Sequence, residues 1–149
     1  MASSIFEQIQ QDTRTAIKAR NTEEATALRM LTSALKNKQI DLRRELSDED
    51  VVDVLATEAK KRREAAELYR TGERIELADK EERELVLVER YLPAQLSDED
   101  AARLVDEAIA QTGAESKRDM GKVMGVVMPK IKGVYDGSKI KDIVLGKLS

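Results

Sequence analysis

The chain has 149 residues, 41% hydrophobic and 37% charged, with a net charge of −3, a balance that suits a folded, strongly helical protein rather than a disordered or membrane-spanning one. Cysteine and histidine are both absent, which excludes disulfides, thiolate nucleophiles, imidazole bases and the commonest zinc ligands together. The negative balance also argues against a general nucleic-acid binder, because non-specific binding rests on neutralising phosphates.

The opening MASSIFEQIQQDTRTAIKAR lacks a basic segment followed by an apolar run, so no signal peptide is expected and the cytoplasm is the expected compartment. A first helix is predicted behind a cap at Ser3 or Ser4, with Ile5, Phe6, Ile9, Thr13, Ala16 and Ile17 at helical spacing, ending near Asn21. Asn21 with Glu24 makes a capping-box-like start for a second, long helix whose stripe is Leu28, Leu31, Leu35 and Leu42 and whose end is expected near Glu45. The third helix is predicted to start at Ser47 in LSDED and to bury Val52, Leu55, Ala59, Ala66 and Tyr69. Arg62 lies on the same stripe, where its methylenes can pack while its head reaches solvent, and Gly72 closes the helix. A fourth helix, Glu73 to Tyr91, is expected to turn Ala78, Leu85, Val88 and Leu92 to one side.

At Tyr91 to Asp100, YLPAQLSDED, the chain changes character. Pro93 lacks a donor and pushes Leu92 out of the helical region, so the charged run before it must end, and the boundary between residues 1–92 and 93–149 is placed there. Ser97 then caps a fifth helix, Asp98 to Gln111, with Asp100 in the capping-box position; it presents Ala101, Leu104, Val105, Ala108 and Ile109 before Gly113. Ser116 with Asp119 offers another box for a sixth helix, Lys117 to Ile131, with Pro129 near its end. Gly133 to Gly137 reads as a loop, and Ser138 to Lys147 as a seventh helix with Ile140, Ile143, Val144 and Leu148 inward. No sustained period-two alternation predicts a strand.

Several clusters carry competing readings. Lys60 to Arg63 is the densest basic run, but successive helical residues diverge and Glu58, Glu64 and Glu67 stand within pairing range; an ion-paired face and a phosphate contact both remain open. Met120, Met124 and Met128 recur every fourth residue, followed one step later by Gly121 and Gly125. The methionines are expected to face the core of a small bundle, whereas two helix-interior glycines, each costing about 1 kcal/mol against alanine, ask for a close-approaching backbone, either a neighbouring helix or a partner. From Ser116 onward, eight cations face three anions, so lysines 122, 130, 132, 139 and 141 read either as a solvated exterior or as phosphate ligands.

Three stretches together, YLPAQLSDED, RMLTSALKN at Arg29 to Asn37, and SKRDMGKVMGVVMPKIKGVYDGSKIKDIV at Ser116 to Val144, resemble the GatB/YqeY family. That family comprises small stand-alone YqeY proteins and the C-terminal domain of the B subunit of the tRNA-dependent Asp/Glu amidotransferase. The resemblance implies an all-α fold: an N-terminal multihelical array followed by a C-terminal three-helix bundle. It further implies tRNA, or a tRNA–enzyme complex, as partner, because the corresponding tail of the amidotransferase subunit is implicated in holding the body of the tRNA. The candidate RNA-binding residues are then Gly121, Lys122, Gly125, Lys130, Lys132, Gly133, Lys139 and Lys141. Such contacts go to phosphate and shape; one Phe, three Tyr and no Trp cannot build a base-stacking platform. Carbon–nitrogen ligase activity with glutamine as amido donor also attaches to the family, but the cradle domain and the glutaminase frame have no counterpart here, so no catalytic residue, metal or cofactor is expected. Two further readings stand beside the RNA one: a protein-interaction module, and an accessory that serves a glutamine-dependent ligase in trans.

Overall fold

The computed structural model describes residues 3–148, and among them the chain forms seven α-helices and no strand. They are α1 (Ser4–Lys18), α2 (Thr22–Leu42), α3 (Asp48–Thr71), α4 (Ile75–Glu89), α5 (Asp98–Thr112), α6 (Met120–Ile131) and α7 (Gly137–Lys147). Short polar side chains set most of the starts. Ser3, Asn21, Ser47, Ser97 and Asp136 each accept a backbone N–H of the following turn, satisfying a donor that the helix itself cannot pair.

Helix ends fall short of the expected positions where the backbone turns left-handed. α1 stops at Lys18 ahead of Arg20 (φ 58°), and α2 stops at Leu42 because Arg43 takes φ 55° and returns its N–H to Ile40. α3 ends at Thr71 as expected from Gly72, yet Gly72 itself has φ −83° and the left-handed residue is Glu73 (φ 61°). The pentapeptide LSDED occurs twice with different outcomes. At Ser47 the box is complete, Asp50 accepting from the Ser47 N–H at 2.9 Å. At Ser97 only the serine half forms, and the Asp100 carboxylate accepts instead from Arg103 three residues on.

The chain divides into two compact units, Met1–Pro93 and Ala94–Ser149. In the first, α1 packs on α2 and α3 on α4, around Ile9, Leu28, Leu31, Leu35, Leu46, Leu55 and Val88. Each fully buried leucine here contributes about 2 kcal/mol through removal of apolar surface from water. The α3 stripe keeps the expected Leu55, Ala59 and Ala66 buried and differs at its ends, where Val51 rather than Val52 is buried and Tyr69 is only half-buried. In the second unit α5, α6 and α7 share a core of Ala101, Val105, Ala108, Val123, Val127, Ile131, Ile140, Val144 and Leu148.

Polar anchors tie the first unit together. Asp48, at the start of α3, accepts from the Ser3 and Ser4 hydroxyls and from the Ile5 N–H, so the first turns of α1 and α3 are pinned to one carboxylate. The Tyr91 hydroxyl donates to Asp12, and burial first, then that carboxylate, hold the phenol well above the ordinary tyrosine value. Arg62 does not send its head to solvent. With 12% of its side chain exposed, it lies between Glu58 of its own helix and Glu81 and Glu84 of α4, 3.0 Å from Glu84. Arg63 likewise reaches Glu89 at 3.6 Å, so half of the basic run joins α3 to α4 while Lys60 and Lys61 pair with Glu64 and Glu58 at the surface.

Candidate nucleic-acid interface

The second unit carries nine acidic and nine basic residues, distributed unevenly along the chain. Asp98, Glu99, Asp100, Asp106 and Glu107 lie on α5, and most of the cations lie on α6, α7 and the turn between them. The acidic first turn of α5 suits the positive end of its own helix dipole, and the remaining two helices are left cationic.

α6 has one buried face, Val123, Val127 and Ile131, with Met120 and Met124 half-buried beside it. The methionines therefore flank the core that valine and isoleucine form, and Met128 is 42% exposed, its terminal methyl lying where a Cβ on Gly137 would come within 3.3 Å. At roughly 100° per residue, Gly121, Lys122 and Gly125 fall on the opposite side from Val123 and Val127, and all three are exposed. A Cβ added at Gly121 or Gly125 would meet nothing within 4 Å. Among the described residues of the second unit, no neighbouring helix accounts for those glycines. Gly133 has its own explanation, a left-handed φ of 76° in the turn after α6.

The lysines divide into three places. Lys122 sits at the start of α6, 3.8 Å from Asp119, whose carboxyl is held below the usual range by the N–H groups of Glu115 and Ser116. Lys130 and Lys132 close α6, and Lys139 and Lys141 are exposed on the first half of α7. Lys122 and Lys130 are about 12 Å apart along the axis by helical rise. Lys130, Lys139 and Lys141 make no ion pair among the described residues, whereas Lys147, farther along α7, pairs with Asp106 at 2.9 Å. The order of the tail is thus a first turn of Asp119 and Lys122, a bare glycine face, and lysines at the far end and on the next helix.

Two contacts that hold the turn were not legible as site residues. Gln95 Nε2 donates to the Gly133 carbonyl at 2.8 Å, and the Leu96 N–H donates to the Val134 carbonyl at 2.8 Å, so the segment before α5 clamps the turn after α6. Tyr135 donates to Asp98 at 2.7 Å, and burial, then that bond, push its phenol up to about 12. The signal in sequence was present only as the stretch YLPAQLSDED, in which nothing singles out Gln95. Among the described residues no group of acidic side chains is arranged to hold a metal ion, and no helix is long and apolar enough to cross a membrane.

Residues 6–148 match a family model described as Yqey-like protein, a span that takes in all eight candidate residues. An uncharacterized protein of Schizosaccharomyces pombe is 32% identical over 82 residues, which cover 55% of this chain and 67% of that protein.

Proposed function

The chain belongs to the YqeY-like family, and from that premise we propose that it is a non-catalytic RNA-binding helical protein whose second unit takes tRNA, alone or in a tRNA–enzyme complex, by its phosphates. One observation carries the reading: the exposed glycine face of α6, where two residues of poor helix propensity have no internal contact that needs them. Glycine there admits a backbone to the helix surface, and Lys122, Lys130, Lys139 and Lys141 stand on that helix and the next with the charge a phosphate chain requires. The even charge balance of the unit as a whole makes the contact local, confined to α6, α7 and their turn.

Titration with bulk tRNA at two salt concentrations tests this. Binding is expected at low salt and its affinity should fall linearly in log salt, with a slope set by the number of phosphates neutralised. A second reading, a protein docked on the same face, is favoured by the exposure of Met128, an adaptable apolar side chain. It predicts a complex nearly indifferent to salt and no tRNA binding at all.

A further inference from the structure

The segment RMLTSALKN on α2 lies outside the interface argued above, and half of it is spent on the core: Leu31 and Leu35 are buried. The other half faces solvent. Arg29, Met30, Ser33, Lys36, Asn37 and Ile40 are all exposed and recur at three- and four-residue steps, which places them along one outward side of the helix. Met30 is 49% and Ile40 72% exposed. In a chain with 29 acidic residues, none falls between Ala25 and Ile40, and neither Arg29 nor Lys36 makes an ion pair among the described residues. The acids of this helix lie at its two ends instead: Glu23 and Glu24 at the start are held by Arg83 and Arg90 of the α4 region, each at 2.9 Å, and Asp41 is exposed in the last turn.

Beside this face runs a cleft of about 430 Å³ between the start of α1 and the end of α2. Phe6, Ile40 and Leu46 give it apolar walls, Lys36 opens it onto the cationic side, and Glu7 and Glu45 stand at its margin. Ile40 and Lys36 belong to both features, so cleft and helix face form one continuous surface.

We propose that this surface docks a protein partner through an acidic amphipathic helix, whose apolar ridge lies over Met30 and Ile40 and into the cleft while its carboxylates meet Arg29 and Lys36. Charge complementarity selects the occupant. Two uncompensated cations on a helix side that carries no acid before Asp41 in its last turn call for anions, and Met30 and Ile40 gain nothing from a phosphate chain but lose water-exposed apolar area against a helix. Glu7 and Glu45 would repel a polyanion lying in the cleft, whereas a helix that carries acid on one flank only can turn its apolar side to them.

The probe is a fluorescein-labelled helical peptide of Leu, Ala and Glu with its leucines on one face, compared with the same peptide carrying Lys for Glu. The full chain should bind the acidic peptide, with amide shifts confined to residues 29–40 and to the neighbours of Phe6 and Leu46. Arg29→Glu with Lys36→Glu should weaken it about tenfold or more, and Ile40→Asp comparably, since both replace complementary contacts by repulsive or desolvated ones. These exposed substitutions should leave the circular dichroism spectrum, and the titration with tRNA, unchanged. The proposal is overturned by equal affinity for the lysine peptide, or by shifts that map elsewhere. It is equally overturned if tRNA moves the amides of residues 29–40, which would make the face an RNA contact. Concentration-dependent dimerisation abolished by Ile40→Asp would overturn it too, by assigning the face to a second copy.

Discussion

Gly125 concentrates the question of function at a single side chain. A glycine inside a helix costs about 1 kcal/mol relative to alanine, and space for a methyl group is open at this position, so Gly125→Ala should raise the unfolding free energy by up to about 1 kcal/mol. If the face receives RNA, the same change should weaken tRNA binding, so that thermal melts and titrations move in opposite directions. A rise in melting temperature with unaltered tRNA affinity would leave the glycine without a ligand. Arg43 gives the converse case. It occupies the left-handed region at the end of α2, where an L side chain is strained, and Arg43→Gly should leave stability level or raise it by about 0.5–1 kcal/mol in urea unfolding, offset in part by glycine's greater freedom when unfolded. The sequence itself places Gly125 inside a helix, but the conformation of Arg43 could not be read from its neighbours, because a left-handed C-cap is announced reliably only when it is glycine or asparagine.

The helical hairpin of α3 and α4 encloses one arginine among three carboxylates. Arg62 Nε lies 3.0 Å from Glu84 without the alignment of a hydrogen bond, and Glu81 Oε2 is buried without one. Burial raises the Glu84 carboxyl above its ordinary value despite the nearby guanidinium. A carboxyl raised in the folded state disfavours folding while it is ionised, and that penalty disappears as pH falls through the raised value. Arg62→Gln removes the compensating charge, so the variant should lose about 3 kcal/mol at neutral pH and recover part of it on acidification toward the ordinary carboxylate range. Urea unfolding at several pH values checks this; a deficit that grows on acidification would refute the assignment. At the other end of the hairpin, Ser47→Ala should cost about 1 kcal/mol, because the Ser47 hydroxyl accepts the Asp50 N–H, a donor the helix cannot pair, while the half of the box made by the Asp50 carboxylate remains. The serines and the asparagine that cap helix starts were legible in advance, since capping is local chemistry, whereas Asp136 reads in sequence as part of a loop. Arg62 was expected to point at solvent, since the three-dimensional neighbour that captures it, α4, is not visible in a helical stripe.

For the molecule as a whole, the competing uses of the cationic tail give opposite results. Gln substituted singly for Lys130, Lys139 or Lys141 should weaken tRNA binding about equally whatever the tRNA and lower the salt slope by about one unit for each phosphate no longer neutralised. Stability should barely change, because exposed charges without a partner contribute at most a few tenths of a kcal/mol. Variants that bind tRNA as tightly as the parent would remove the RNA reading and leave the exposed methionine and the α2 face as the places to look for partners. Each unit also has a core of its own. Residues 94–149 should therefore be helical when produced alone, though only marginally stable, since so short a chain buries a small share of its surface. Circular dichroism with a cooperative thermal transition is the expected result.

What the amino-acid order determined by itself was the helical class, the positions of the capped starts and the break at Pro93, because periodicity, capping and the missing proline N–H act within a few residues. The family followed from the same order, through stretches that run nearly the length of the chain. The periodicity also gave the covered side of most helices, and only the tertiary structure decided the individual positions at its margins. It put Val51 rather than Val52 inside α3, turned valine rather than methionine to the core of α6, and drew Arg62 onto α4. It also left the α6 glycines and the outer face of α2 uncovered. Those outcomes depend on what stands across from a side chain, and the partner across is chosen by packing between elements far apart in sequence.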